Sequence, residues 1–318
     1  MSREQRPRVT LRPLHGIVLL DKASGPSSNT ALQQIRFAIR AEKGGHTGAL
    51  DPLASGMLPL CFGEASKVAG YLLGNNKTYE VTAKLGQVTD TDDSEGEVIR
   101  ERPVVPTDLA TLERLCRDQT GQIEQRAPIF SALKQGGEPL YAKARRGEAV
   151  EAPVRTVHVQ RIEILELTDS GFRLRVSCGS GTYIRSIVRD LGEALGCGAH
   201  VTQLRRLHVE PFEQQRMWTL DEIRELAEAD RLDEILLPIE DALPTDQWPR
   251  LKLNGPQVEA LSHGKRITPE AWESQVAAGP HLALAADGTA VGLVDVQPDG
   301  SVVAKRLFSW VSRPDLHR

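Results

Sequence analysis

Gly44-Gly45-His46-Thr47-Gly48-Ala49-Leu50-Asp51-Pro52-Leu53-Ala54-Ser55-Gly56 places four glycines and a proline within thirteen residues. Glycine permits positive-φ turns and the close approach of a ligand to the backbone, so this stretch reads as neither helix nor strand. The loop carries one carboxylate, one imidazole and two hydroxyls. A single Asp on a glycine-built loop suits glycosidic-bond chemistry. It equally suits a surface turn in which Asp51-Pro52 starts a bend.

The flanking sequence alternates strands and helices without a βαβ rhythm, which favours an α+β antiparallel sheet over a doubly wound one. Gly16–Leu20 reads as a buried strand. Ser27 or Ser28 then caps a helix bearing Ala31, Leu32, Ile35 and Ile39 at helical spacing. Met57–Phe62 reads as a strand, Glu64–Leu73 as a helix, and Tyr79, Val81, Ala83 and Leu85 as the inward side of another strand. The acidic Asp90–Gly96 stretch reads as an exposed turn. Pro106–Thr120 reads as an amphipathic helix, and 121–153, rich in Gly, Pro and bases, as a projecting insertion. Two strands, a helix over Tyr183–Leu195 and a helix over Leu220–Ala229 follow. After a linker at Pro244–Pro249, the strands Ala290–Val296 and Val302–Phe308 suggest a small β domain.

Composition sets further bounds. The 318 residues are 40% hydrophobic and 26% charged, as in an ordinary globular protein. No apolar run reaches about eighteen residues, so no membrane span is expected. The polar, Arg-bearing residues 1–12 read as a disordered tail rather than a secretory signal. The cysteines at 61, 116, 178 and 197 are scattered, which fits a cytoplasmic chain and neither a disulfide framework nor a zinc knuckle. The −4 net charge hides an asymmetry. Asp90–Glu101 holds six acids against Arg100, and Asp221–Asp241 nine against Arg224 and Arg231, which leaves +8 on the rest of the chain. That remainder can offer phosphate a basic face.

Cofactor motifs are absent: there is no GxGxxG after a strand, no phosphate-binding GxxxxGK[ST], no HExxH and no GxSxG elbow. His46 and Asp51 lack companions for a metal site. What remains is cofactor-free chemistry on one carboxylate. Conventional glycosidases use two, so the loop favours a reaction in which the cleaved group is kept and reattached. Ser180-Gly181-Thr182-Tyr183-Ile184-Arg185 sits at a strand-to-helix junction. A cation in a first helical turn opposes the dipole, so Arg185 is either solvated or paired with a carboxylate such as Asp51. Tyr79, in a chain with 4% aromatics, is either core or a surface on which a base stacks. Lys134, Lys143, Arg145 and Arg146, and then Arg205, Arg206 and His208, are solvated faces or phosphate contacts.

GGHTGALDPLASGMLPLCFGEASK, KTYEV and GTYIRSIVRDLGEALGCGAHVTQLRRL, in that order, resemble the bacterial TruB-type pseudouridine synthase family. Thr89–Asp92 and Ser131-Ala132-Leu133-Lys134 also fit, so the resemblance runs from Gly16 to about Leu207. It implies an α+β catalytic domain (13–245) on a mixed, largely antiparallel sheet, with a thumb-like insertion at about 120–153. More weakly, it implies a PUA-like RNA-binding domain over 249–318. It further implies conversion of uridine 55 in the tRNA T loop to pseudouridine, without cofactor, metal or obligate protein partner; a monomer is the default expectation. The family's catalytic aspartate falls on Asp51, and its T-loop-shaping histidine on His46. Its stacking tyrosine falls on Tyr79, its uridine-pocket residues on Tyr183 and Leu204, and its aspartate-pairing arginine on Arg185. Ala23 and Phe130 depart from the family's usual proline and tyrosine. A guide-dependent relative acting on ribosomal RNA, and an RNA-folding protein with incidental isomerase activity, are the competing readings.

Overall fold

A computed structural model describes residues 10–268 and 276–311. The N-terminal half runs β1 (Gly16–Lys22), α1 (Ser28–Ala38), β2 (Gly44–His46), β3 (Ser55–Phe62), α2 (Ala69–Leu72) and β4 (Lys77–Leu85). A small hairpin of β5 (Gln87–Thr89) and β6 (Val98–Glu101) follows, then α3 (Leu109–Asp118) and β7 (Gly121–Arg126). Next come the short β8 (Lys134–Gln135) and β9 (Glu138–Pro139), with α4 (Leu140–Arg145) behind them. The chain returns through β10 (Val154–Thr168), β11 (Gly171–Cys178), α5 (Ile184–Ala194), β12 (Ala199–Val209) and α6 (Leu220–Glu228). It ends with β13 (Arg250–Lys252), α7 (Gly255–Ser262), β14 (Gly279–Leu284), β15 (Ala290–Val296) and β16 (Val302–Leu307).

The main sheet has eight strands in the order β1-β3-β12-β4-β11-β10-β7, with β2 paired to β3. Every pairing is antiparallel except β3 with β12, which meet in parallel at Arg205↔Ser55 and Arg206↔Gly56. The fold is α+β on a mixed, largely antiparallel sheet. Strand alternation splits β1 and β3 between two cores. Val18, Leu20, Leu58 and Leu60 join the large cluster under α1, α5 and α6. Ile17, Leu19, Met57 and Cys61 face the other way, onto Trp248, Leu282, Phe308 and Trp310 of the C-terminal region. There β13, β14, β15 and β16 form a separate four-stranded sheet.

Helix signals act where the sequence puts them. Ser27 caps α1 by accepting from the Thr30 amide, and Thr219 and Asn254 close capping boxes on α6 and α7. Several expectations fail for physical reasons. Residues 1–9 of the expected tail lie outside the described residues, but Arg12 is anchored: its amide bonds Arg40 O at 2.7 Å and its guanidinium meets Asp230 at 3.0 Å. The Glu64–Leu73 segment is a 3₁₀ turn over Gly63–Lys67 followed by the one-turn α2, not a continuous helix. The stretch read as an insertion opens with β7, whose six residues pair with β10 as the sheet's edge. The hairpin β8–β9 and α4 come only after it.

Candidate active site

The glycine loop is anchored at both ends by strands. Gly44–His46 pairs with Phe62–Leu60, and Ser55 and Gly56 open β3, so only Thr47–Ala54 is irregular. Its backbone is held by specific bonds. Buried Ser28 accepts from Leu50 N at 2.7 Å and donates to Leu50 O at 2.9 Å. The Lys22 ammonium donates to the carbonyls of Ala23, Pro26 and Pro52. Burial pulls Lys22 down to about 8, with Glu95 and Asp51 opposing. Gly56 needs its positive φ of 98° and its missing side chain, because a Cβ there would stand 2.1 Å from Arg206 O.

Asp51 sits at the middle of this loop with Oδ2 2.9 Å from Nε of Arg185. The Arg185 side chain is 3% exposed and that of Asp51 37%, so the ion pair is sealed on the arginine side and open on the carboxylate side. Arg185 also donates to Thr91 O at 2.7 Å and Phe130 O at 3.0 Å, and approaches Asp93 Oδ2 at 3.5 Å. These partners offset its unfavourable place in the first turn of α5. Desolvation raises the Asp51 carboxyl above its ordinary value and Asp93 adds to the rise, while Arg185 and Lys22 oppose it.

Tyr79 and Leu204, on neighbouring strands β4 and β12, are buried in the same apolar cluster as Leu50 and Ile184. That cluster underlies both Asp51 and Arg185 through their sequence neighbours. Burial raises the Tyr79 phenol. Tyr183, which precedes α5, packs on the small cluster of Ala127, Leu140 and Ala152 at the base of the β8–β9 segment. Its backbone is fixed by a reciprocal pair with Gln125: Tyr183 N donates to Gln125 Oε1 at 2.8 Å and Gln125 Nε2 to Tyr183 O at 3.1 Å. His46 stands at the start of the loop and makes no bond to Asp51 among the described residues. Burial and Arg206 lower its pKa, and its buried Nδ1 has no hydrogen-bond partner there.

The sequence reading missed Asp93, Gln125 and Lys22. Asp90–Gly96 is not simply an exposed turn, because Asp92 and Asp93 are buried, facing Arg189 and Arg185. An acidic run reads as solvated unless buried arginines are known to await it. Arg205 and Arg206 are not a free basic patch either. Arg205 forks onto Asp21 at 2.8 and 2.9 Å, and Arg206 is buried. In the segment after β7, Lys134 and Arg145 are exposed, whereas Arg146 is engaged by Glu138 and Glu148. Phe130 contributes its carbonyl to Arg185, so the family's usual tyrosine is not needed for that contact. Among the described residues no His/Cys/Asp/Glu group is arranged to hold a metal, and no helix is long and apolar enough to cross a membrane.

Residues 36–184 match the family model for the N-terminal domain of TruB family pseudouridylate synthases, and 185–244 that for the tRNA pseudouridylate synthase B C-terminal domain. The chain is 54% identical to tRNA pseudouridine synthase B of Xanthomonas axonopodis pv. citri (strain 306), covering 96% of this chain and 98% of the relative. It is 44% identical to that of Stutzerimonas stutzeri (strain A1501), over 93% and 96% of the two chains. In fold it is similar to a chain of an H/ACA ribonucleoprotein bound to a substrate RNA containing 2′-deoxyuridine, with TM-score 0.70, 24% identity, and 96% and 91% of the two chains covered. A Cbf5–Nop10–Gar1 complex gives TM-score 0.68 at 23% identity, again over 96% and 91%. With two consecutive family models spanning most of its length and relatives near half identity, this chain belongs to the TruB family of pseudouridylate synthases.

Proposed function

We propose that the protein isomerises uridine 55 of the tRNA T loop to pseudouridine, with Asp51 as the catalytic residue. The observation that carries this reading is the ion pair of a sealed Arg185 with an open Asp51, beside the buried apolar cluster that holds Tyr79 and Leu204. The target uracil leaves the RNA stack at a cost of a few kcal/mol. Stacking on Tyr79 returns about 1–3 kcal/mol of that. Asp51 promotes cleavage of the C1′–N1 bond. The uracil, confined by Tyr79, Tyr183 and Leu204, turns and rejoins C1′ through C5. The C5 proton is released and N1 takes one up, so atoms balance without a cofactor. His46, kept neutral by burial, offers an uncharged ring to the folded T loop. Exposed Lys134 and Arg145 hold phosphates.

Residues 13–245 form the catalytic domain, the segment after β7 acts as a thumb, and the C-terminal sheet is a PUA-like RNA-binding module. The chain works in the cytoplasm as a monomer without a protein partner. Tritium release from tRNA labelled at uracil C5 tests the reaction. Wild-type protein should release it from a bare T-arm hairpin with no guide RNA, and Asp51→Asn should not. Release that depends on an added guide would point to the ribosomal-RNA reading. Equal release from both proteins would remove Asp51 from the mechanism.

A further inference from the structure

Arg206 is among the largest fully buried side chains of the molecule, at 1% exposure. Its donors go to backbone carbonyls and not to a carboxylate: Nε to Met57 O at 2.7 Å and Nη2 to Gly48 O at 3.1 Å. Such a cation costs several kcal/mol to bury, and carbonyl acceptors offset only part of that. A residue serving packing alone is better met by an apolar side chain.

Its position is informative. On β12, Arg206 is the partner of Gly56 across the parallel pairing and of Tyr79 across the antiparallel one. Its carbonyl is the atom that forbids a side chain at Gly56, while its guanidinium holds Gly48. The irregular backbone carrying Asp51 is thus gripped at both ends by one residue. Tyr79 faces the same residue across that antiparallel pairing, and the guanidinium opposes the rise that burial gives the phenol.

We propose that Arg206 is a positioning residue that sets the separation between Asp51 and Tyr79, and not a phosphate contact. This rests on the functional reading above. It touches neither substrate nor reacting atoms; it acts through the loop and the ring.

The test is Arg206→Lys, which keeps the charge and loses the planar fork that reaches two carbonyls together. Turnover should fall by about 100-fold, as for a displacement of the reacting groups by an ångström. The KM for tRNA should stay within about threefold, and the slope of log affinity against log salt should be unchanged, because a lost phosphate contact would reduce that slope by about 1. Combined with Tyr79→Phe, the loss should be less than the product of the single losses, since both changes act on one cross-strand pair. A raised KM with normal turnover and a shallower salt slope would overturn the proposal, as would multiplicative losses.

A second measurement needs no variant and stands if Arg206→Lys does not fold. The Arg206 Nε–H of the wild-type protein should exchange with solvent over minutes or longer and keep its resonance position when a T-arm hairpin binds. Exchange within seconds, or a large shift on binding, would overturn the clamp. Absence of tritium release by the wild-type protein would sink the functional reading alone, leaving the exchange result to judge Arg206.

Discussion

Two carboxylates in this molecule make opposite use of burial. Glu64, in the turn after β3, has a side chain only 5% exposed, yet its pKa is lowered. Burial alone would raise it, but Lys67 at 2.6 Å, the Ser309 amide at 2.7 Å and Lys43 at 3.8 Å together outweigh that. Asp51 is more exposed, at 37%, yet its pKa is raised: desolvation of its buried side comes first and Asp93 adds to it, while Arg185, its one direct partner, offsets only part. A carboxylate whose lone pairs are fully engaged is architecture. One left with unspent capacity and an open side is available for chemistry.

Replacing the two acids by their amides separates these roles. Asp51→Asn should lower turnover by about 10⁴-fold or more, the upper range for a single acid–base group, with tRNA affinity and melting temperature little changed. A comparable loss of stability would make Asp51 architectural after all. Tyr79→Ala should cost turnover about 10²-fold, the sum of lost stacking at 1–3 kcal/mol, while phosphate contacts preserve affinity. A weakened Kd with normal turnover would remove its stacking role.

Arg185→Gln should reduce turnover and also shift its pH dependence. On the proposed role, activity needs ionised Asp51 and should fall as pH drops through that group's pKa. Removing the cation that lowers this pKa should move the acid limb to higher pH. A limb that stays in place would break the link between the two residues.

Glu64→Gln should leave turnover near wild type and cost about 3 kcal/mol of stability, read by denaturant unfolding, because Lys67 loses its buried partner. The sign with pH follows from linkage. The folded-state pKa lies below the ordinary 4.5, so the stabilisation is complete above that value and is lost as pH falls toward the depressed one. The Gln variant should lack this acid-side loss. If both proteins lose stability in parallel below pH 4.5, Glu64 is not the group responsible.

Much of this was legible in the sequence because period and punctuation carry it. The alternation of Tyr79, Val81, Ala83 and Leu85 is strand β4, and Ser27 caps α1. The Asp51–Arg185 partnership was inferable from a cation placed against a helix dipole. The rest depended on contacts that no local pattern encodes. Asp93 looks like a surface acid until α5 delivers Arg185 beside it. Arg206 looks like a phosphate contact beside Arg205 until strand register turns it inward between Tyr79 and Gly56. Gly44–His46 reads as loop because its strand character comes from Phe62–Leu60 across the pairing. Glu64 gave no signal at all, since its partner amide lies 245 residues downstream.

The parallel contact of β3 with β12 also has a consequence in time. The carbonyls of Met57 and Gly48 wait for a guanidinium 149 and 158 residues further along the chain. Contacts of such sequence separation form late, after their loop entropy has been met by other structure. During synthesis, then, the loop that carries Asp51 is made early, but the bonds that Arg206 makes to it cannot form until β12 has emerged. On the proposed roles, a half-finished chain with its glycine loop already in solution would be inert toward the RNA around it.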